Sequence, residues 1–467
     1  MRRTLLGFIL LSALGVGPIR SEEEPPPPEP VGTSVREAAD STIFEAILPG
    51  DLVDWAALTV SDNSQSLALL VEREDETRQV IAWSLGTAGE LVDMGAPLPE
   101  EVEALIRFPG GDGRGAGVVA AAGGTLLGLN ANGQWEELFK SPLNLYPIRD
   151  TRGGRLAAAN GLILRSVGRL QALGADPSTG ALQTTWSLDL PLIVDREWGG
   201  LRLDTPPVAS VYWAPAGATQ LILGPEAHGK RRLRSVRLVP SSQGGMETLE
   251  TWNMLPTPED LEESWYVEYN GDLALIVTTV LAEKHGVFEK KKLRLFHLAA
   301  DRTRSGSGPL LEVMTRSRNW YGTCAGIADL NGDGLDDLVS AQPKGLGAGS
   351  LWVEAYLGKP EGGFEPKARG SEIEVEEGEL CTLATDIDGD DRVELVVIEN
   401  DTLLVFPLVN RADSKVVVDE APRWRVVFDD IDGRPRPVDL FPSSPSQILV
   451  TGHTEGKRQA VRVVRFH

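Results

Sequence analysis

Apolar residues in this chain gather in short runs separated by Gly, Asn, Asp and Pro, and long stretches with a 3.6-residue period are few. The runs that line up are 67–71, 117–121, 156–159, 220–223, 273–277, 337–339, 394–397 and 447–450. Runs this short, rich in Val, Ile, Leu and Ala and bounded by turn formers, predict β-strands rather than helices.

One stretch shows the repeating unit in miniature. Residues 117–121 read as a strand, Gly123-Gly124 as a turn, 125–129 as the next strand, Asn132-Gly133 as a tight hairpin and 134–139 as a third strand. The same order recurs at 394–398, Asn400-Asp401 and 402–407. Run starts lie roughly 40 to 65 residues apart, the period of a four-stranded antiparallel propeller blade with variable loops. The expected fold is therefore an all-β propeller over residues 43–467. Seven blades are favoured and eight are the alternative, because rings often close by pairing strands from the two chain ends, so runs need not equal blades. The competing arrangement is two stacked β-domains with coincidental spacing.

Candidate chemistry sits just ahead of two of the runs. In Asp329-Leu330-Asn331-Gly332-Asp333-Gly334-Leu335-Asp336-Asp337, oxygen-bearing side chains fill places one, three, five and nine, with Gly at place six. A hard cation such as Ca2+ takes six to eight oxygen ligands, so Asp329, Asn331, Asp333 and Asp337, with the backbone carbonyl of Leu335, form a candidate calcium loop. The frame returns 57 positions later as Asp386, Asp388, Asp390 and Glu394, with the carbonyl of Arg392 at place seven. Asp391 replaces the glycine at place six, where Asp is tolerated because it visits positive φ more readily than most residues. An EF-hand needs Glu at place twelve and a following helix, whereas place twelve is Ser340 or Val397 and strand formers follow. Acids at alternate places repel one another unless a cation neutralises them, which an ordinary acidic turn does not explain. About two structural Ca2+ ions are expected.

These residues resemble the FG-GAP or VCBS repeat family, whose best-known members are the seven-bladed propellers of integrin α-chains. Tyr321-Gly322 stands where the family has Phe-Gly, and Ser340-Ala341-Gln342-Pro343 where it has Gly-Ala-Pro. Both flanking signatures are missing from the second unit, and the best-defined repeats cover residues 320–400. The other loops have lost their carboxylates: 108–115 keeps one acid, Glu268, Asn270 and Asp272 run too soon into a strand, and Arg434 follows Asp430 and Asp432 where a ligand would be needed.

At the N-terminus, Arg2-Arg3, an apolar run from Leu5 to Val16 and small residues after it read as an export signal, assigned to residues 1–21. An uncleaved anchor is the alternative, since no clean Ala-x-Ala site is present. The run is short of the roughly 20 residues that cross a bilayer, and no later run approaches that length. Residues 22–42, with Glu22-Glu23-Glu24-Pro25-Pro26-Pro27-Pro28, read as an extended spacer, with folding from near Ile43. Forty-five Lys plus Arg against 68 Asp plus Glu give a net charge of -23, which repels phosphate backbones and anionic membranes. Nucleic acid is excluded as an expected partner. A secreted or periplasmic monomer is expected.

Cys324 and Cys381 each stand five residues before the first ligand of a loop, so they are equivalent positions in neighbouring units. A disulfide and a pair of buried thiols are both open. The eleven tryptophans are scattered, which suits packing between blades more than a sugar-stacking stripe. Lys284 and Lys290-Lys291-Lys292 form a basic knot on an expected loop. His228, His285, His297, His453 and His467 show no ligand spacing, and no nucleophile elbow, zinc-protease helix or phosphate loop is present. The expected function is a module that binds a protein or glycan through the loops of one face. An extracellular lyase or hydrolase on a propeller scaffold, and a passive adhesion module, are the alternatives.

Overall fold

The computed structural model describes residues 31–142 and 310–467 with short internal breaks, the longest at 108–117, 315–323 and 409–416, and between 146 and 297 little beyond the strands themselves. Among the described residues every regular element is a strand, and eight sheets hold four or more strands in simple up-and-down order.

The first sheet comprises Gly50–Ser61, Ser64–Arg73, Arg78–Ser84 and Leu91–Asp93; the second Val102–Arg107, Val118–Ala122, Thr125–Leu129 and Trp135–Lys140. The third runs from Tyr146–Pro147 through Gly161–Ser166 and Arg169–Ala175 to Leu182–Asp189, the fourth from Val208–Trp213 through Ala218–Leu223 and Arg232–Pro240 to Met246–Pro256. Asp260–Tyr269, Asp272–Val280, Lys291–His297 and Leu311–Met314 form the fifth, and Cys324–Ala328, Asp337–Pro343, Ser350–Tyr356 and Arg369–Glu374 the sixth. The seventh holds Leu380–Thr385, Val393–Glu399, Thr402–Pro407 and Trp424–Val427. A two-stranded ribbon, Ile193–Asp195 with Arg202–Asp204, lies between the third and fourth in sequence.

The eighth sheet joins the two chain ends. Asp432–Val438, Gln447–His453 and Gln459–Phe466 are followed in the sheet by Ser41–Ile47 and, at its edge, Gly32–Glu37. Pairing therefore begins at Gly32, ahead of Ile43 and inside the segment assigned to the spacer. The N-terminal strands complete a unit whose three C-terminal strands already include the apolar run 447–450.

Seven of the eight apolar runs fall in second strands, and the run 156–159 lies outside the described residues. The reason is burial on both faces. Leu67, Leu69 and Val71 pack with Val438, Leu449 and Val463 of the eighth sheet, while Ala68 and Leu70 pack with Val102, Leu105 and Val118 of the second. Alternate residues thus serve two interfaces, and a strand covered on both sides reads as a continuous apolar run. Further apolar cores join the second sheet to the third, the fifth to the sixth, the sixth to the seventh and the seventh to the eighth. First strands of neighbouring sheets lie side by side, as Gly50–Ser61 does with Val102–Arg107 and Cys324–Ala328 with Leu380–Thr385. Sheets packed in chain order, with the last closed by the N-terminal strands and packed on the first, make a β-propeller; among the described residues every neighbouring pair shares a core except those of the fourth sheet, whose side chains lie outside the described ones.

Tryptophans serve these interfaces, with Trp83 in the core between the eighth and first sheets and Trp424 between the seventh and eighth. Asn400 and Asp401 both have positive φ, 43° and 60°, the hairpin geometry that matches strand twist. Lys291 and Lys292 open a strand of the fifth sheet, not a loop as expected; Lys284 and Lys290 lie outside the described residues.

Candidate metal centre

Both acidic frames occupy the same place in neighbouring sheets, between first and second strands. At place two, each inserts an apolar anchor: Leu330 enters the core between the sixth and seventh sheets, and Ile387 the core between the seventh and eighth. At place nine, each buries a carboxylate, with Asp337 0% and Glu394 1% exposed. The two carboxylates do the same job. Asp337 Oδ2 accepts the N–H of Leu330 at 2.9 Å, and Glu394 Oε2 accepts the N–H of Ile387 at 3.0 Å. Place nine therefore ties down place two, and the loop is pinned at its base before any ligand is considered.

In the first loop, Asp329 Oδ1 accepts the N–H of Gly332 at 2.8 Å and Oδ2 that of Gly334 at 2.9 Å. Asn331 Oδ1 accepts from Asp333, Asp333 Oδ1 accepts from Leu335, and Asn331 Nδ2 donates to Asp333 Oδ2, each at 2.9 Å. Gly332 and Gly334 have φ of 72° and 80°, which a side chain would strain. Asp337 Oδ1 also takes the N–H of Gly358 at 2.7 Å. Gly358 can come so near because it lacks a Cβ, which would lie 2.5 Å from the carbonyl oxygen of Asp336.

The second loop repeats the wrapping with one addition. Asp386 Oδ1 accepts from Gly389 at 2.6 Å, Asp388 Oδ1 from Asp390 at 3.1 Å and Asp390 Oδ1 from Arg392 at 3.1 Å. The carbonyl of Arg392 receives the N–H of Asp386 at 2.6 Å, which closes the loop and leaves that oxygen a further lone pair. The addition is Arg423, whose Nη1 donates to Asp388 Oδ2 and lies 3.9 Å from Asp390 Oδ2. Its guanidinium stacks over the Trp424 ring at 4.3 Å. Nothing local marks Arg423, which stands 35 residues from Asp388, as a partner of the loop.

Crowding shows in the proton affinities. Burial, reinforced by Asp333 and Asp329, pushes Asp337 up to about 6. Burial, with Asp388, Asp390 and Asp386 adding repulsion, pushes Glu394 up to about 8. Asp388 is raised as well, by burial first, with Arg423 pulling the other way.

Among the described residues, the structure gathers the oxygens of Asp386, Asp388 and Asp390 but not those of Glu394 or of the first loop's Asp329, Asp333 and Asp337. Every predicted ligand offers oxygen, and oxygens of Asp386, Asp388 and Asp390 lie within 4.8 Å of one another. The protein already places two guanidinium groups against that cluster, Arg423 on Asp388 and Asp390 and Arg392 with its Nε 4.0 Å from Asp390 Oδ2. Between the loops lies a cleft of about 290 Å3, lined by Ala328, Asp329, Leu330 and Gly332 on one side and Asp390, Arg392, Val393 and Leu408 on the other.

The degenerate loops behave otherwise. Asn270, at φ 51°, donates its N–H to Asp336 Oδ2, so the fifth sheet's turn braces the first acidic loop. Asp430 and Asp432 face His453, whose Nδ1 lies 2.9 and 3.7 Å from their carboxylates. The loop 108–115 lies outside the described residues.

No protein-family model matches the chain, and no curated protein matches it. Similar solved structures include Sqt1 of Chaetomium thermophilum, 11% identical over 89% of this chain and 95% of that one, with a TM-score of 0.47. The WD40 domain of SCAP from fission yeast is 12% identical over 94% of this chain and 98% of its own, with a TM-score of 0.47. The β-propeller domain of Myceliophteria thermophila Cps50 (Swd1) is 12% identical, covers 93% and 99% of the two chains, and has a TM-score of 0.36.

Proposed function

We propose that this chain is an exported, calcium-stabilised β-propeller that binds a protein or glycan through the loop face of its sixth and seventh sheets. The observation that supports this reading is the pair of acidic loops, built alike on adjacent sheets and flanking one polar cleft. Asp329, Asn331, Asp333 and Asp337 with the Leu335 carbonyl would hold one Ca2+, and Asp386, Asp388, Asp390 and Glu394 with the Arg392 carbonyl the other. Bound there, the ion supplies the positive charge that crowded carboxylates lack. The chain's own residues do the rest: Leu330 and Ile387 anchor each loop in the core, and Asp329, Asp390 and Arg392 present mixed charge to a partner entering the cleft.

A calorimetric Ca2+ titration of the chelated protein, beside an Asp333→Ala, Asp390→Ala double variant, tests the reading. About two sites per chain are expected, weakened or lost in the variant, with a higher melting temperature when the ion is bound to the folded state. No heat of binding and an unchanged melt after chelation would sink the calcium half of it.

A further inference from the structure

We infer that Cys324 and Cys381 are a cross-linking site, oxidised to a disulfide that staples the sixth sheet to the seventh. Cys324 opens the first strand of the sixth sheet and Cys381 lies in the first strand of the seventh. The Cys381 thiol donates to Cys324 Sγ with the sulfurs 2.8 Å apart. A covalent link needs about 2.0 Å, so the approach required is under about 1 Å and is within reach of side-chain rotation. Two residues further along each strand the contact continues: the Leu383 side chain packs on Gly326, where an added Cβ would lie 3.2 Å from Leu383 Cδ1. Both sulfurs lie in the apolar core shared by Val339, Ala341, Leu395 and Val397, with 2% and 1% exposure at the two cysteines.

The chemistry balances with an external disulfide as oxidant, either a small one or a dithiol protein in its oxidised form. One cysteine thiolate attacks that disulfide and displaces a thiol, giving a mixed disulfide. The second thiolate then attacks the protein sulfur of this intermediate, forms the Cys324–Cys381 bond and displaces the second thiol. Two protons and two electrons leave the pair, and the oxidant departs as two thiols. Burial holds the Cys324 thiol well above its ordinary range, so the reactive thiolate is populated when the strands part. The bond therefore forms during folding or on local opening, and once made it is sealed in the core.

The consequence is mechanical. Each cysteine stands five residues ahead of an acidic loop, so the staple fixes the two loop bases relative to each other whether or not a cation is present.

The test refolds the full chain in a buffer of reduced and oxidised glutathione, then denatures it without reductant, alkylates it and digests it for mass spectrometry. The expected result is loss of both alkylatable thiols together, with one peptide containing Cys324 linked to one containing Cys381 in monomeric protein. The oxidised chain should melt higher than the reduced one, and Cys381→Ala should abolish that difference. Two thiols that remain alkylatable, glutathione held singly on either cysteine, or linkage only between chains would each overturn the inference.

Discussion

Arg462, on the last strand, donates its Nε to Glu45 Oε1 on Ser41–Ile47 at 2.7 Å, joining residues 417 positions apart. The Arg462 side chain is 1% exposed and that of Glu45 14%. Its other nitrogens donate to the carbonyls of Asp430 at 3.0 Å and His453 at 3.2 Å, and its guanidinium lies over the Phe428 ring at 5.1 Å. One cation thus satisfies the N-terminal strand, the last hairpin and the loop entering the eighth sheet. Glu45 keeps Arg36 at 4.0 Å and the Ser34 hydroxyl at 3.3 Å, but Arg462→Ala removes its short charged hydrogen bond and those to the Asp430 and His453 carbonyls, so it should cost about 1–3 kcal/mol. Replacing both partners by apolar residues, as in Arg462→Met with Glu45→Leu, should recover much of that loss. Denaturant unfolding of the three variants measures it; an Arg462→Ala chain as stable as the parent would remove this pair from the closure.

A second buried charge joins the first and second sheets. Asp54, 3% exposed, accepts the N–H of Leu105 on its Oδ2 at 2.8 Å, reaching the neighbouring first strand. A bulge between Leu52 and Asp54 accompanies this break from simple alternation. Asp54→Ala should leave the Leu105 amide without its acceptor, at a cost of about 1–3 kcal/mol, and Asp54→Asn should cost less because an oxygen remains. Hydrogen exchange reads this directly: protection at the Leu105 amide should drop in the Ala variant more than at Ile106, and equal protection would refute the role.

The features legible in the sequence are those that repeat locally. Second strands declared themselves because 67–71 or 395–397 must be apolar at every position, being covered on both faces. First strands such as Cys324–Ala328 and edge strands such as Leu91–Asp93 alternate too weakly to stand out. The acidic turns were legible because their side chains fold back on their own loop within a few residues, as Asp329 does on Gly332 and Gly334. Arg423, His453 and Glu45 escaped notice because their partners lie 35, 23 and 417 residues away, distances over which only the closed ring brings them together. The pairing strand Gly32–Glu37 was hidden by the Pro-rich stretch ahead of it, whose composition was extended too far along the chain.

Stability should depend on pH in an unusual direction once cations are stripped. Glu394 at about 8 and Asp337 at about 6 bind protons more tightly in the fold than at their ordinary values of 4.5 and 3.8. Between the unfolded and folded values the native state holds more protons, so stability falls as pH rises. The melting temperature of chelated protein should therefore decline from about pH 4.5 to about pH 8, and Glu394→Gln should flatten the upper part of that slope. A chelated melt that rises steadily across this window would contradict the raised affinities.

On the calcium reading, Arg423 should compete with a cation for the second loop. Its guanidinium already occupies Asp388 Oδ2 and stands near Asp390, so an ion entering there must displace it. The arginine side chain is 49% exposed, which screens the pair and limits its worth to about 1 kcal/mol or less. Stacking on Trp424 offers the displaced group a place to stay, so displacement need not expel it to bulk water. Arg423→Ala should accordingly tighten Ca2+ binding at the second loop by up to about fivefold. In the absence of the ion, the same change should lower the melting temperature, because Asp386, Asp388 and Asp390 then face one another with only Arg392, whose Nε lies 4.0 Å from Asp390 Oδ2, as counter-charge. Calorimetry in an Asp333→Ala background, which disables the first loop, isolates the effect. Weaker binding in the Arg423→Ala chain would mean that the arginine holds the loop in its receptive shape rather than competing for it.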